Sequence, residues 1–284
     1  MVCRCAGLNG NMTGDSGGKK MISTVEIKKI LQAASVEELP EFINTYRADE
    51  RQGVRKLVET ASKRLAALET EKTRVEGLCT YEKQYAEYDL ICGVDEVGRG
   101  PLAGPVVAGA VILPKGCRIL YINDSKQLSE KKREELYAEI TEAAVSWAVG
   151  CVSPIRIDEI NILQATYEAM REALGKLEPA PKLLLNDAVT IPGISIPQIP
   201  IIKGDAKSIS IGAASIVAKV TRDRMMLEYD KIYPEYGFAE NKGYGSRKHI
   251  AALQKYGPTS IHRKTFIKNF VPDLGAVGED MELE

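Results

Sequence analysis

The sequence has 284 residues, of which 44% are apolar and 27% are charged, so it can bury a sizeable hydrophobic core. Its 38 lysine and arginine residues nearly balance its 39 aspartate and glutamate residues, so net charge excludes no class of partner. The sequence lacks the run of about 18 apolar residues that a membrane span needs. Residues 1–20 also lack the apolar core of a signal peptide. We therefore expect a soluble, cytoplasmic protein that does not bind membranes.

The cysteines are scattered along the chain, which favours reduced thiols over a disulfide framework. They are Cys3, Cys5, Cys79, Cys92, Cys117 and Cys151. Cys3 and Cys5 form a C-x-C pair, but no second Cys or Cys/His pair follows at the spacing of a zinc site. The sequence therefore does not predict a zinc site.

The chain begins with residues 1–20, which are rich in Gly, Asn and Ser and are predicted to be a disordered leader. Residues 21–89 follow a helical pattern in which Val25, Ile27, Ile30 and Leu31 share a face. This predicted N-terminal helical extension contains 11 basic and 13 acidic residues, so it has no strong field of its own. The pattern favours a packing or positioning role, and nucleic-acid contact is the alternative.

The hydrophobic pattern of the sequence changes after residue 89. Four short apolar runs predict strands, and amphipathic stretches between them predict helices, one of them capped by Ser129. The strands are predicted at residues 90–94, 106–113, 145–152 and 182–186, and the helices at 130–144, 158–177 and 210–232. This order predicts an α/β domain over residues 90–270, with a mixed central sheet flanked by helices and a helical C-terminal region.

Charge is distributed unevenly in the last third of the chain. Residues 203–268 carry 13 basic and 6 acidic residues with five interleaved tyrosines, whereas residues 271–284 form an acidic tail with five acids and no base. A basic, tyrosine-rich segment is typical of proteins that bind a phosphate backbone. The alternative is a set of solvated helix faces whose tyrosines belong to the core.

Four carboxylates stand where the predicted strands and helices meet. Asp95 and Glu96 end the first strand, Asp187 ends the fourth, and Asp205 precedes the helix at residue 210. Carboxylate oxygens without nearby His or Cys suit Mg²⁺ or Mn²⁺, and a pair of such ions can clamp an in-line phosphoryl displacement. Each acid taken singly is as well explained by a turn or a cap, so the prediction depends on their convergence.

The histidines, His249 and His262, lie in the basic region, so no histidine-activated nucleophile is predicted and water is the expected attacking group. Gly98-Arg99-Gly100 is too short for a dinucleotide fingerprint. Its bare backbone can approach a sugar closely enough to bond a 2′-hydroxyl, the group that separates RNA from DNA. The plainer interpretation is a tight turn.

Several motifs together resemble bacterial ribonuclease HII in order and spacing over residues 90–270. They are the segments at residues 95–107, 124–129, 203–205, 213–220 and 243–245. The resemblance implies an RNase H-like fold and metal-dependent hydrolysis of the RNA strand of RNA/DNA hybrids. It also implies incision 5′ of a single ribonucleotide in duplex DNA, leaving 5′-phosphate and 3′-OH ends, in ribonucleotide removal and RNA primer processing.

The same resemblance implies roles for individual residues. Asp95, Glu96, Asp187 and Asp205 match the acids that hold Mg²⁺ or Mn²⁺ in a two-metal site. The Gly98-Arg99-Gly100 loop matches the element that reads the 2′-OH, Tyr244 matches a tyrosine that stacks on the following deoxyribose, and Lys126 matches a phosphate contact. The expected partners are RNA/DNA hybrid and ribonucleotide-containing duplex DNA. The sequence indicates no protein partner, and a monomer is expected.

Two positions depart from the family pattern. Ala188 follows the third acid where the family usually has Gly, and Gly212 stands inside a helix where a helix former is expected. Two alternatives stay open. One is ribonuclease HIII, which typically has lysine in place of Arg99 and a sheet-containing extension, and the other is a non-catalytic hybrid-binding protein whose acids hold a structural ion.

Overall fold

The computed structural model describes residues 22–271. The predicted leader at residues 1–20 lies outside the described residues, as does the predicted acidic tail beyond residue 271. The chain divides into two compact units, the first ending at Thr70 and the second beginning at Glu71. Across residues 22–271, no helix is both long enough and apolar enough to cross a bilayer.

The first unit is helical, as predicted. It contains α1 (Thr24–Ala33), α2 (Leu39–Tyr46) and the first part of α3 (Gln52–Leu78). The α1 helix begins with a capping box, in which the Ser23 hydroxyl accepts from the Glu26 amide and the Glu26 carboxylate accepts from the Ser23 amide. The buried core of the first unit consists of Ile27, Leu31, Leu39, Phe42, Val54 and Ala61.

The second unit begins with the last turns of α3 and with α4 (Thr80–Gln84). Val75, Leu78 and Cys79 are buried in one cluster with residues of the α/β domain. The Glu82 carboxylate accepts hydrogen bonds from the Ser208 hydroxyl at 2.6 Å and the Ser210 amide at 3.1 Å. Residues from 71 to 89 therefore pack as part of the α/β unit.

The sheet of the second unit has five strands in the order β3-β2-β1-β4-β5. The strands are β1 (Ile91–Val97), β2 (Val106–Ile112), β3 (Ser146–Val152), β4 (Leu183–Asp187) and β5 (Gln198–Ile201). The β1–β2 and β2–β3 pairs are antiparallel, whereas β1–β4 and β4–β5 are parallel, so the predicted mixed sheet is confirmed. The sequence analysis missed β5, a four-residue edge strand containing Pro200, because proline suppresses the strand signal and is tolerated at an edge.

Helices cover both faces of the sheet. The helices after β2 are α5 (Glu130–Ala143), α6 (Pro154–Gly175), α7 (Ile209–Ile232), α8 (Phe238–Asn241), α9 (Arg247–Tyr256) and α10 (Lys264–Ile267). Of these, α6 packs on one face of the sheet and α7 on the other. The predicted Ser129 cap is confirmed. The α6 helix starts earlier than predicted because Ser153 caps it, and it is interrupted at Asn161, whose φ is 67°.

Alternation along the strands assigns residues to the two faces. Val106, Ala108 and Ala110 of β2 pack in the cluster that contains α6. On the opposite face lies α7, which approaches the strands closely at two glycines. A Cβ on Gly93 would lie 2.1 Å from the Ser210 carbonyl, and one on Gly109 would lie 2.4 Å from the Ala214 carbonyl oxygen. Both positions therefore require glycine, because any side chain would push α7 off the sheet.

The structure shows the backbone surroundings of both departures from the family pattern. Ala188 has φ 56°, a left-handed conformation that glycine adopts without strain. Gly212 lies where a Cβ would be 3.2 Å from the Asp205 carbonyl oxygen, so the small residue keeps α7 close to the Asp205 turn.

The packing of residues 71–89 makes a prediction about truncation. We expect a chain of residues 71–284 to unfold cooperatively on heating. A chain of residues 90–284 should unfold at a lower temperature, because it loses the buried Val75, Leu78 and Cys79 and the Glu82 hydrogen bonds. Differential scanning calorimetry of both chains checks this, and equal midpoints would contradict the assignment of residues 71–89 to the α/β unit.

The left-handed Ala188 makes a second prediction. We expect Ala188→Gly to raise the free energy of unfolding by about 0.5–1 kcal/mol, since relief of left-handed strain exceeds the added entropy of glycine in the unfolded chain. The control is Ala138→Gly, at an exposed position in helix α5, where the free energy of unfolding should fall by about 1 kcal/mol. Urea denaturation measures the free energy of unfolding of both variants. A decrease in both would contradict the proposal that Ala188 is strained.

Candidate active site

Asp95 lies near the end of β1, on the face of the sheet that α7 covers. The residue is only 6% exposed, and the Ser215 hydroxyl of α7 lies close enough to favour its ionised form. The Ser125 hydroxyl lies 2.9 Å from that of Ser215. Burial, together with the charges of Glu96 and Asp187, raises the pKa of Asp95 well above its ordinary value. A positive charge nearby would therefore stabilise the ionised form of Asp95.

Asp187 ends β4, the strand beside β1, and Asp205 lies just after β5, the next strand in the sheet. Because β1 and β4 are parallel and Val94 pairs with Asn186, Asp187 lies beside Asp95 at the same edge of the sheet. Its carboxylate accepts a hydrogen bond from the Gly204 amide at 2.7 Å. Asp205 stands in the 3₁₀ turn that follows β5. Burial, and then the charges of Asp124 and Asp187, raise the pKa of Asp205.

Glu96 is the fourth acid of this group. Burial raises its pKa, while Arg99, whose guanidinium lies 3.2 Å from the carboxylate, opposes that shift. The second carboxylate oxygen of Glu96 is buried and has no hydrogen-bond partner among the described residues. Lys126 lies within electrostatic reach of Glu96 and Asp205, where its charge favours the ionised form of both.

The structure brings the four predicted acids to one edge, and Asp187 exerts its charge on the other three. Within residues 22–271, however, no three His, Cys, Asp or Glu side chains are grouped closely enough to hold a metal ion. The donor set itself fits a hard divalent cation: it consists of carboxylate oxygens, one of them buried and unpaired, in mutually repelling acids.

The glycine loop and Tyr244 are neighbours in the structure. The Leu102 amide, just after the loop, donates to the Gly243 carbonyl at 2.8 Å. The Tyr244 ring lies 3.8 Å from where a Cβ on Gly100 would stand, and the residue is 44% exposed. The structure therefore joins two predicted substrate-binding elements, Gly98-Arg99-Gly100 and Tyr244, that lie far apart in the sequence. An aromatic face is available beside bare backbone.

Two buried histidines support the Tyr244 segment. His249 Nδ1 lies 2.8 Å from the Tyr244 carbonyl oxygen and must donate to it. His249 Nε2 therefore accepts from His262 Nε2, 3.0 Å away, and His262 Nδ1 accepts from the Thr259 amide at 2.9 Å. Burial lowers the pKa of both rings, that of His262 to about 4, so both are neutral and their tautomers are fixed. The sequence excluded these rings from the acidic site but did not predict this support.

Sequence reasoning also missed the contacts of Ser215, Ser125, Arg222 and Arg263. The two serines lie inside motifs that the sequence analysis quoted, so their position was the only signal. Arg222 and Arg263 are both 0% exposed and donate to backbone carbonyls around the glycine loop. Nothing in a linear charge count distinguishes a buried arginine from a solvated one.

The family model for ribonuclease HII matches residues 92–269, and that for the ribonuclease HII N-terminal domain matches residues 23–86. A ribonuclease HII from Lachnoclostridium phytofermentans is 67% identical over 224 residues, covering 79% of this chain and 88% of the relative. A ribonuclease HII from Clostridioides difficile is 51% identical over 251 residues, covering 88% of this chain and 98% of the relative.

The crystal structure of ribonuclease H2 from Pyrococcus horikoshii OT3 is 30% identical, with a TM-score of 0.53, and covers 64% of this chain and 96% of that one. The predicted RNase H-like fold is thereby confirmed. The two matching family models together cover most of the chain, and the resemblance read from its motifs is confirmed. This chain belongs to the ribonuclease HII family, whose members are metal-dependent endoribonucleases.

Proposed function

We propose that this chain cleaves the RNA strand of RNA/DNA hybrids and incises 5′ of single ribonucleotides embedded in duplex DNA, leaving 5′-phosphate and 3′-OH ends. The observation that carries the proposal is the placement of four acids at one sheet edge, in a chain whose glycine loop lies beside an exposed tyrosine. The expected roles are ribonucleotide removal and RNA primer processing. The cytoplasmic location and the monomeric state stay predictions.

Asp95, Glu96, Asp187 and Asp205 would hold Mg²⁺ or Mn²⁺ in this proposal. A pair of such ions, when bound, polarises the phosphoryl oxygens and lowers the pKa of water. The residues of the chain determine how the acids are presented. Ser215 favours the ionised form of Asp95, and the Gly204 amide orients Asp187. One buried oxygen of Glu96 has no hydrogen-bond partner within residues 22–271, so it could bind a cation without losing a hydrogen bond.

The remaining residues recognise the substrate. Gly98, Arg99 and Gly100 offer backbone groups to the 2′-hydroxyl of the ribonucleotide, and Tyr244 offers its ring to the next sugar. Lys126, which is exposed and lies near Glu96 and Asp205, is suited to a phosphate. These assignments explain how a nuclease can select a ribose without reading a base.

The basic segment at residues 203–268 supplies most of the attraction to the duplex backbone in this proposal, and Lys203, Lys207 and Arg247 are exposed. We assign the helical extension at residues 21–89 a supporting role in binding. Some of its cations are already engaged, since Arg51 pairs with Asp49 and Lys63 pairs with Glu59. We place the catalytic residues within 90–270, a segment that packs in one unit with residues 71–89.

The first prediction for this function concerns Asp205. Its replacement by Asn should reduce cleavage of a duplex with one ribonucleotide by at least about a hundredfold, because the carboxylate charge acts chiefly on the phosphoryl transition state. Hybrid binding should change little. Initial rates under saturating Mg²⁺ check the expectation. The control is Asp89→Asn, which removes the same single negative charge from a surface acid paired with Lys115. Turnover like that of the unmodified chain in Asp205→Asn would remove Asp205 from the site.

The second prediction concerns Tyr244. Tyr244→Ala should impair cutting at an isolated ribonucleotide flanked by DNA by roughly tenfold or more, and should impair cutting within a long RNA stretch less. Stacking on an aromatic ring is worth about 1–3 kcal/mol, and here it acts at the RNA-to-DNA junction. Side-by-side kinetics on both substrates measure the ratio, with Tyr256→Ala, a second exposed tyrosine, as the control. Equal losses on both substrates would argue against junction reading.

A further inference from the structure

The Arg263 side chain is fully buried beneath the glycine loop, at 0% exposure. Its Nη1 donates to the Arg99 carbonyl at 2.9 Å, and its Nη2 donates to the carbonyls of Gly98 and Gly104. Its Nε donates to the Gly104 carbonyl at 3.0 Å. One guanidinium thus holds three carbonyls of a single short segment. Burying a cation is costly, and hydrogen bonds to backbone carbonyls offset that cost.

These hydrogen bonds fix the direction of two peptide groups. In a planar trans peptide, the carbonyl and the following N–H point in opposite directions. With the Gly98 and Arg99 carbonyls turned inward to Arg263, the amides of Arg99 and Gly100 turn outward. Across residues 22–271, neither amide has a hydrogen-bond acceptor. Arg99 and Gly100 are both exposed, so these two donors face the surface on which Tyr244 also lies.

We infer that Arg263 is a positioning residue for ribose recognition: by holding the Gly98 and Arg99 carbonyls inward, it presents the Arg99 and Gly100 amides to the 2′-oxygen of the ribonucleotide. The inference rests on the proposed function, in which this loop reads the sugar, and adds the residue that sets the loop's conformation. Arg263 itself does not touch the substrate.

The geometry explains why arginine is needed. A guanidinium carries five N–H donors in a rigid planar fork, so it can reach carbonyls in several directions at once. A lysine ammonium at the same place is a single point and cannot hold the carbonyls of Gly98, Arg99 and Gly104 together. Arg263→Lys therefore keeps the buried charge and removes the fork.

The test measures the affinity of the full chain for two duplexes, one with a single ribonucleotide and one all-DNA of the same sequence, in the Asp205→Asn background. The quantity is the ratio of the two dissociation constants. We expect the parent to prefer the ribonucleotide duplex and Arg263→Lys to lose at least about tenfold of that preference, as misdirecting a donor to a hydroxyl implies. Binding of the all-DNA duplex should change far less.

The control is Ile267→Ala, which removes a buried side chain from the cluster beside the loop without removing a loop hydrogen bond. It should lower the unfolding midpoint while keeping the ribose preference, which separates positioning from general destabilisation. A parent without any preference would overturn the sugar-reading function. A parent with a preference that Arg263→Lys retains would overturn only the role of Arg263.

A measurement without any change at Arg263 covers the case in which Arg263→Lys fails to fold. Amide hydrogen exchange of the Asp205→Asn chain, resolved by NMR, should show the Arg99 and Gly100 amides exchanging fast in the free chain. Both should become protected by the ribonucleotide duplex and much less by the all-DNA duplex. Amides that are protected already in the free chain, or equally by both duplexes, would overturn the inference.

Discussion

The close approach of α7 to the backbone of β1 and β2 is the constraint on which the site depends. It is possible because Gly93 and Gly109 have no side chain on the face that meets the helix. At this distance the Ser215 hydroxyl reaches Asp95, and Gly212 brings the helix start against the Asp205 turn. A bulkier residue at either strand position would separate the acids from the groups that orient them, without changing any acid.

The fold concentrates like charges and leaves part of the repulsion uncompensated. Asp95 and Glu96 both have pKa values raised chiefly by burial, and Asp187 adds its charge to both. Arg99 and Lys126 offset this only at the exposed side. A divalent cation at this edge would relieve the repulsion between the acids.

The region of the glycine loop and Tyr244 differs from the acidic edge, since its buried groups are cations and neutral rings. Arg263 holds the carbonyls of the glycine loop, and the pair His249 and His262 holds the carbonyl of Tyr244. Both sets of hydrogen bonds act on the backbone from inside the protein, and Arg99, Gly100 and the Tyr244 ring remain exposed. In the proposed function, such rigidly held groups would recognise a sugar rather than a base sequence.

The sequence by itself determined the α/β class, the mixed sheet, the helical extension and the ribonuclease HII family, because hydrophobic periodicity and closely spaced motifs are local properties. It also predicted that four acids converge, since each follows a strand or precedes a helix, and the structure brings them to one edge of the sheet. Tertiary structure decided what the linear pattern cannot contain. That Ala188 is left-handed, that Glu82 packs with α7 rather than with the first helices, and that Arg263 is buried all depend on contacts between distant segments. From sequence alone an arginine is expected to be solvated, and only the fold shows that backbone carbonyls surround Arg263.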